Sequence, residues 1–172
     1  MQKNIAKSIQ KYIVFFYIYA FLGWIIDVSI VLVSDGILEN RGFLYEPICP
    51  MYGFAALVLV VLSERIKGKG GIIKKIAITT LWCSVLEYLT SLILEVFFGI
   101  RWWDYSNKKF NINGRICLET MIPFGLLASL IIYVLHPAVI KLVDKLSPTA
   151  LLVVAITLFI IYIIDNVIST YI

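Results

Sequence analysis

The 172-residue chain is 61% hydrophobic, with a mean hydropathy of +0.94 and a formal net charge of +4. Soluble domains are about 45–50% apolar, so a soluble surface would lack polar cover for this excess, and a lipid-embedded all-α bundle is expected instead. The cysteines Cys49, Cys83 and Cys117 and the single His136 are scattered without metal-ligand spacing, so they read as apolar fillers, and no metal, cofactor or nucleic-acid partner is expected.

Five apolar stretches follow in chain order: about Ile13 to Val33, Met51 to Leu62, Ile72 to Phe98, Ile116 to Leu135 and Ala150 to Ile168. A crossing needs about 20 helical residues. The first, fourth and fifth stretches fit, and the third is long enough to tilt or protrude. The first has no small-residue cleavage site and is expected to stay as a helix. The second is short. Either its neighbours complete it, or Leu44-Tyr45-Glu46-Pro47-Ile48-Cys49-Pro50 dips into the membrane as irregular backbone. Such backbone survives at depth only when buried in protein or lining a wet cavity.

Lysines and arginines in short connections set the orientation. Lys3, Lys7 and Lys11 precede the first stretch, Arg65, Lys67, Lys69, Lys74 and Lys75 follow the second, and Lys141 and Lys145 follow the fourth. Gly68-Lys69-Gly70-Gly71 reads as a flexible turn. In a five-span bundle these basic segments share one side, read as cytoplasmic, which predicts N-in/C-out topology. The first connection is net acidic. The third carries Arg101, Lys108, Lys109 and Arg115 against Asp104, an exception that assigns some of these cations a specific role.

Charges inside spans usually face a partner, water or the bundle interior. In this topology Asp27, Glu95 and Asp165 fall in the outer half, Glu87 near the middle and Glu119 near the outer end of the fourth span. Glu87, Ser91 and Glu95 are four residues apart and make one polar stripe on the third helix. Tyr19, Gly23 and Asp27 repeat that spacing on the first, where Gly23 permits close helix approach. The connections add Arg41, Glu46, Arg101, Asp104 and Arg115. The expected result is one outer constellation in which Arg41, Arg101 or Arg115 pairs with Glu87 or Glu95. It serves either as structural ion pairs or, given the excess of acids, as a cation or polar-solute site. The candidate substrate-binding set is Asp27, Arg41, Glu87, Ser91, Glu95, Arg101, Trp103, Asp104, Asn111, Asn113 and Arg115. Arg101-Trp102-Trp103-Asp104-Tyr105 is either an interfacial anchor or a cap over the acidic cavity.

These residues also carry a resemblance. Phe21-Leu22-Gly23-Trp24, Asn40-Arg41-Gly42-Phe43-Leu44, Cys49-Pro50-Met51-Tyr52-Gly53, Leu86-Glu87-Tyr88-Leu89-Thr90-Ser91, Arg101-Trp102-Trp103-Asp104-Tyr105-Ser106, Phe110-Asn111-Ile112-Asn113-Gly114-Arg115-Ile116-Cys117-Leu118, Phe124-Gly125 and His136-Pro137 occur in this order. Together they resemble the bacterial ABC-transporter type IV permease family over about residues 12–146. Asp27 stands where the pattern expects Glu, and Glu46 where it expects Gly. The resemblance implies solute transport; the length allows a single transmembrane domain over 1–172, with an extra C-terminal helix at about 150–168 outside the part that resembles the family. No GxxxxGK[ST] is present, so any ATPase would be a separate partner subunit. Five short-looped spans enclose little volume, so a transport path calls for a homo-oligomer or another subunit besides the lipid bilayer. Two alternatives stay open. One is a membrane enzyme acting on a lipid or lipid-linked phosphate held by Arg41, Arg101 and Arg115, and the other is an accessory or assembly protein.

Overall fold

A computed structural model describes residues 2–40, 42–64 and 71–171, with side chains from residue 5 onward. Arg41, together with Arg65, Lys67 and the turn at Gly68-Lys69-Gly70, lies outside the described residues. The architecture is all-α with five helices: α1 (Gln2–Asp35), α2 (Pro50–Glu64), α3 (Ile72–Phe98), a helix broken into α4 (Leu118–Leu130), a π-helical turn (Ile131–Leu135) and α5 (His136–Val143), and α6 (Pro148–Tyr171). A two-stranded hairpin, β1 (Asn111–Ile112) and β2 (Ile116–Cys117), interrupts the α3–α4 connection. Four of the helices, Ile5–Asp35, Ile72–Phe98, Leu118–Val143 and Pro148–Tyr171, are long and apolar enough to cross a membrane. The protein is therefore a multi-pass membrane protein, and the many exposed Ile, Leu, Val and Phe side chains on these helices have lipid as their solvent.

Two compact units are distinguished: residues 1–57 with 138–172, and residues 58–137. In the first, α1 packs on α6. Ser147 accepts a hydrogen bond from the Ala150 amide at 3.1 Å and so caps α6, whose first residue is Pro148, a position where a missing N–H costs nothing. The core of this unit joins Phe16, Tyr17 and Ala20 of α1 to Leu44 and Ile48 of the following connection, with Leu158 and Tyr162 of α6 against them.

That connection decides between the two readings of the second apolar stretch. The 15-residue α2 is about 22 Å long, too short for a crossing, and the chain before it turns inward as irregular backbone. The Cys49 amide donates to the Ala20 carbonyl at 3.0 Å, and Ala20 lies halfway along the apolar part of α1. Backbone donors at such depth need partners, and Asp165 supplies them. Its two carboxylate oxygens accept the amides of Tyr45 at 3.1 Å and Glu46 at 2.9 Å, and Asp165 is buried. Gly23 is where the Tyr52 ring lies against α1: a Cβ there would overlap the Tyr52 side chain.

In the second unit α3 and α4 form a hairpin of helices. Leu59, Val60, Ala128 and Ile132 are its buried core, with Cys83, Leu86 and Tyr133 packed on them. The Thr79 hydroxyl meets the Tyr133 hydroxyl at 3.2 Å beside the π-helical turn. α3 stops at Gly99, which takes φ 70° and donates its N–H to the Glu95 carbonyl at 2.8 Å, the left-handed helix ending that glycine adopts without steric cost. Gly125 admits Thr80 so closely that a Cβ would collide with its side chain. Gly125→Val is expected to pry α4 from α3, with an overpacking cost of about 1–3 kcal/mol and a lower unfolding temperature in detergent. An unchanged transition would refute this contact.

Candidate functional site

The polar stripe of α3 is where the second unit concentrates its charge. Arg115 is 7% exposed and binds two members of that stripe: its Nη1 donates to Ser91 Oγ at 3.1 Å and its Nη2 contacts Glu95 Oε2 at 2.5 Å. The Tyr88 ring centroid lies 5.8 Å from its guanidinium carbon. Arg101 Nε reaches the same Glu95 oxygen at 3.1 Å. Two guanidinium groups thus fork onto one carboxylate, which is the pairing that the charge map anticipates, made by Glu95 rather than Glu87.

The connection places these arginines through a tight turn. The Arg115 amide donates to the Ile112 carbonyl at 3.0 Å across Asn113 and Gly114, whose φ values are 53° and 68°. Asn-Gly suits such positive-φ pairs. Asn111 acts as an internal brace, donating to the carbonyls of Ser106 and Lys108 and accepting the Gly114 amide. Asn113 Nδ2 donates to the Tyr88 hydroxyl at 2.8 Å, its carbonyl accepts from Arg101, and Trp103 Nε1 donates to the Arg115 carbonyl at 3.0 Å. Asp104 accepts the Ser106 hydroxyl at 2.5 Å and the Ser106 amide at 2.9 Å. These bonds, with Arg101 nearby, hold its carboxyl below the usual carboxylate range. Lys108 pairs with Glu119 at 2.9 Å, which raises the lysine above its ordinary value.

Glu87 stands apart from this saturation. Its Oε2 is buried with no hydrogen-bond partner among the described residues, while the Tyr105 hydroxyl faces the same carboxyl. Burial first, and then the charge of Glu87, push the Tyr105 phenol above its ordinary value, so Tyr105 stays a neutral donor. Tyr105 was missing from the candidate set, although the Arg-Trp-Trp-Asp-Tyr run contained it. A tyrosine fifteen or more residues away in sequence has no spacing rule that points it at Glu87.

The single outer constellation is resolved as follows. Glu87, Ser91, Glu95, Arg101, Trp103, Asp104, Asn111, Asn113 and Arg115 all belong to the second unit; all but Glu87 join the arginine network above, and Glu87 meets Tyr105 of the same connection. Asp27 belongs to the first unit and has its own partners there: the Tyr52 hydroxyl donates to Asp27 Oδ1 at 2.6 Å, and Cys49 Sγ lies 4.0 Å from Oδ2. Tyr52 and the amide-binding role of Asp165 were also not foreseen. Among the described residues no group of His, Cys, Asp and Glu side chains is placed to hold a metal ion, and Cys49, Cys83 and Cys117 are all thiols.

A family model described as "Putative ABC-transporter type IV" matches residues 14–170. The chain belongs to this family. No solved structure matches it. The ABC-transporter type IV match takes in all of α6, beyond the 12–146 stretch that carries the recognisable motifs. α6 is thus part of the family body, in keeping with the task of Asp165 in holding residues 45 and 46. Glu46 adds a carboxyl to that junction. It meets the Tyr17 hydroxyl at 3.3 Å, and burial raises its pKa, with the Asp165 charge adding to the rise and the Tyr17 hydrogen bond opposing it. A carboxyl whose folded pKa is raised favours the folded state when protonated, and that contribution is lost as pH climbs above the ordinary carboxylate value. Glu46→Gln is therefore expected to raise thermal stability at neutral pH and to flatten its decline between mildly acidic and neutral pH. A lower melting temperature at neutral pH would count against it.

Proposed function

We propose that this chain is the membrane component of a transporter for a small cation or polar solute, with Glu87 as the group that meets the solute and residues 99–117 as the cap above it. The observation that carries this reading is the contrast between two carboxyls on one stripe: Glu95 is neutralised twice, whereas Glu87 keeps a buried oxygen without a hydrogen-bond partner. A mid-span carboxyl in that condition is costly unless it has a use, and a cation supplies both charge and ligand demand. The N-in/C-out orientation, in which α2 and the irregular backbone before it together make one crossing, the bacterial cytoplasmic membrane, a separate ATPase subunit and assembly into a homo-oligomer complete the proposal; the ATPase rests on the family match and the missing P-loop, the oligomer on the small volume five short-looped spans enclose.

The enzyme alternative receives less support. Phosphate recognition calls for accessible arginines without a carboxylate partner, whereas Arg101 and Arg115 both already pair with Glu95 and Arg115 is buried.

The test uses the purified protein in liposomes and the membrane-permeant reagent dicyclohexylcarbodiimide, which attacks buried protonated carboxyls. Mass mapping should find Glu87 modified, and sodium, potassium or a small organic ammonium ion should slow the modification and also cross the vesicle membrane. Modification at Glu87 that no cation slows, with no flux above empty vesicles, would overturn the proposal.

A further inference from the structure

The connection between α3 and α4 folds back along α3. Arg115 meets Ser91, seven residues before the end of α3 at Phe98 and so about 10 Å below it. Tyr105 faces Glu87, about 16 Å below that end. Over the same length the other side of α3 shows Ile93, Val96 and Phe97 exposed, side chains that need lipid. The connection therefore lies level with a lipid-facing stretch of its own helix.

Its outer surface matches that position. Trp102, Ile112 and Phe110 are exposed, Phe110 to 79%, and Phe110 takes φ 53°, a conformation that costs energy for a bulky residue. Backbone polar groups are costly to leave open at lipid depth, and several of this hairpin's are tied internally. Tyr105 N donates to Gly114 O at 2.7 Å and Lys108 N to Tyr105 O at 2.8 Å, while Asn111 takes the carbonyls of Ser106 and Lys108. Next to Phe110, Lys109 is exposed.

We infer that the hairpin is a re-entrant, lipid-binding element: Trp102, Phe110 and Ile112 sit among the acyl chains, and Lys109 engages the phosphate of an anionic phospholipid. This uses the surface of the connection that faces away from Glu87, so it stands whether or not the chain transports a cation. Interfacial aromatics beside a basic side chain are suited to such a seat.

The experiment is full-length protein carrying Phe110→Cys, labelled with an environment-sensitive fluorophore and reconstituted into vesicles of phosphatidylcholine with or without phosphatidylglycerol, with identically treated wild-type protein subtracted. The expected result is blue-shifted emission, quenched by nitroxide-bearing lipids and not by aqueous iodide. Phosphatidylglycerol should deepen the shift, and adding Lys109→Gln should remove that extra response. Water-like emission quenched by iodide overturns the inference, as an aqueous face for a soluble partner would give. Emission shielded from both quenchers overturns it too, since a second protein surface would then cover the site. Ile112→Cys gives the same readout if Phe110→Cys does not fold.

Discussion

Arg115→Ala is expected to release the hairpin from α3. The guanidinium is nearly buried and links three things at once: Ser91, Glu95 and the face of Tyr88. Hydrogen bonds involving a charged group contribute about 1.5–3 kcal/mol each, so two lost bonds and the lost packing amount to roughly 3 kcal/mol or more. Arg115→Lys should recover little, because one ammonium cannot span Ser91 and Glu95 as a planar fork does. Arg101→Ala is the control. Arg101 holds the same Glu95 oxygen, but a third of its side chain is exposed, and pairs at such a site contribute about 1 kcal/mol or less. Thermal unfolding in detergent, followed with limited proteolysis of residues 99–117, reads both effects. Equal shifts for Arg115→Ala and Arg101→Ala would refute the central place given to Arg115.

The arginine fork also marks how far the sequence could be read. The spacing of Glu87, Ser91 and Glu95 placed them on one helix face because helical geometry is local, and the sum of charges implied that arginines would meet acids there. Which acid received them depended on the Asn113-Gly114 turn, which aims Arg115 at Ser91 and Glu95 and leaves Glu87 to Tyr105. The helices were legible for the same local reason: apolar runs long enough to cross lipid leave few other structures open. The short second run left two readings standing. The inward dip before α2 was set by Asp165, more than a hundred residues away, whose carboxylate takes the amides of Tyr45 and Glu46. No local pattern announces a side chain that pairs with distant backbone. Asp27 followed the same logic, since Gly23 announced a close approach without saying that Tyr52 would make it.

Glu87→Gln is expected to leave the fold intact and abolish transport. Glutamine preserves the shape of the side chain and can still accept from Tyr105 through its carbonyl, so the contact between α3 and the hairpin is retained. Its amide can occupy the buried position of Oε2, but it can neither bind a proton nor offer a negative charge to a cation. If Glu87 only tied α3 to the cap, the variant would keep its activity and show a stability close to that of the wild type. If Glu87 meets the solute, flux in proteoliposomes should fall to the level of empty vesicles while the unfolding temperature stays level or rises, because the buried group can no longer carry a charge. Glu95→Gln separates charge in general from this one carboxyl. It weakens both arginine contacts, so it should lower the unfolding temperature, and any activity it loses should track the loss of folded protein. Glu87→Asp completes the series: it keeps the charge but draws the carboxylate back by one methylene from Tyr105, so partial flux with a changed preference among sodium, potassium and organic ammonium ions is expected. Full flux in Glu87→Gln would move the search to Asp27, the candidate acid that the Tyr52 hydroxyl holds.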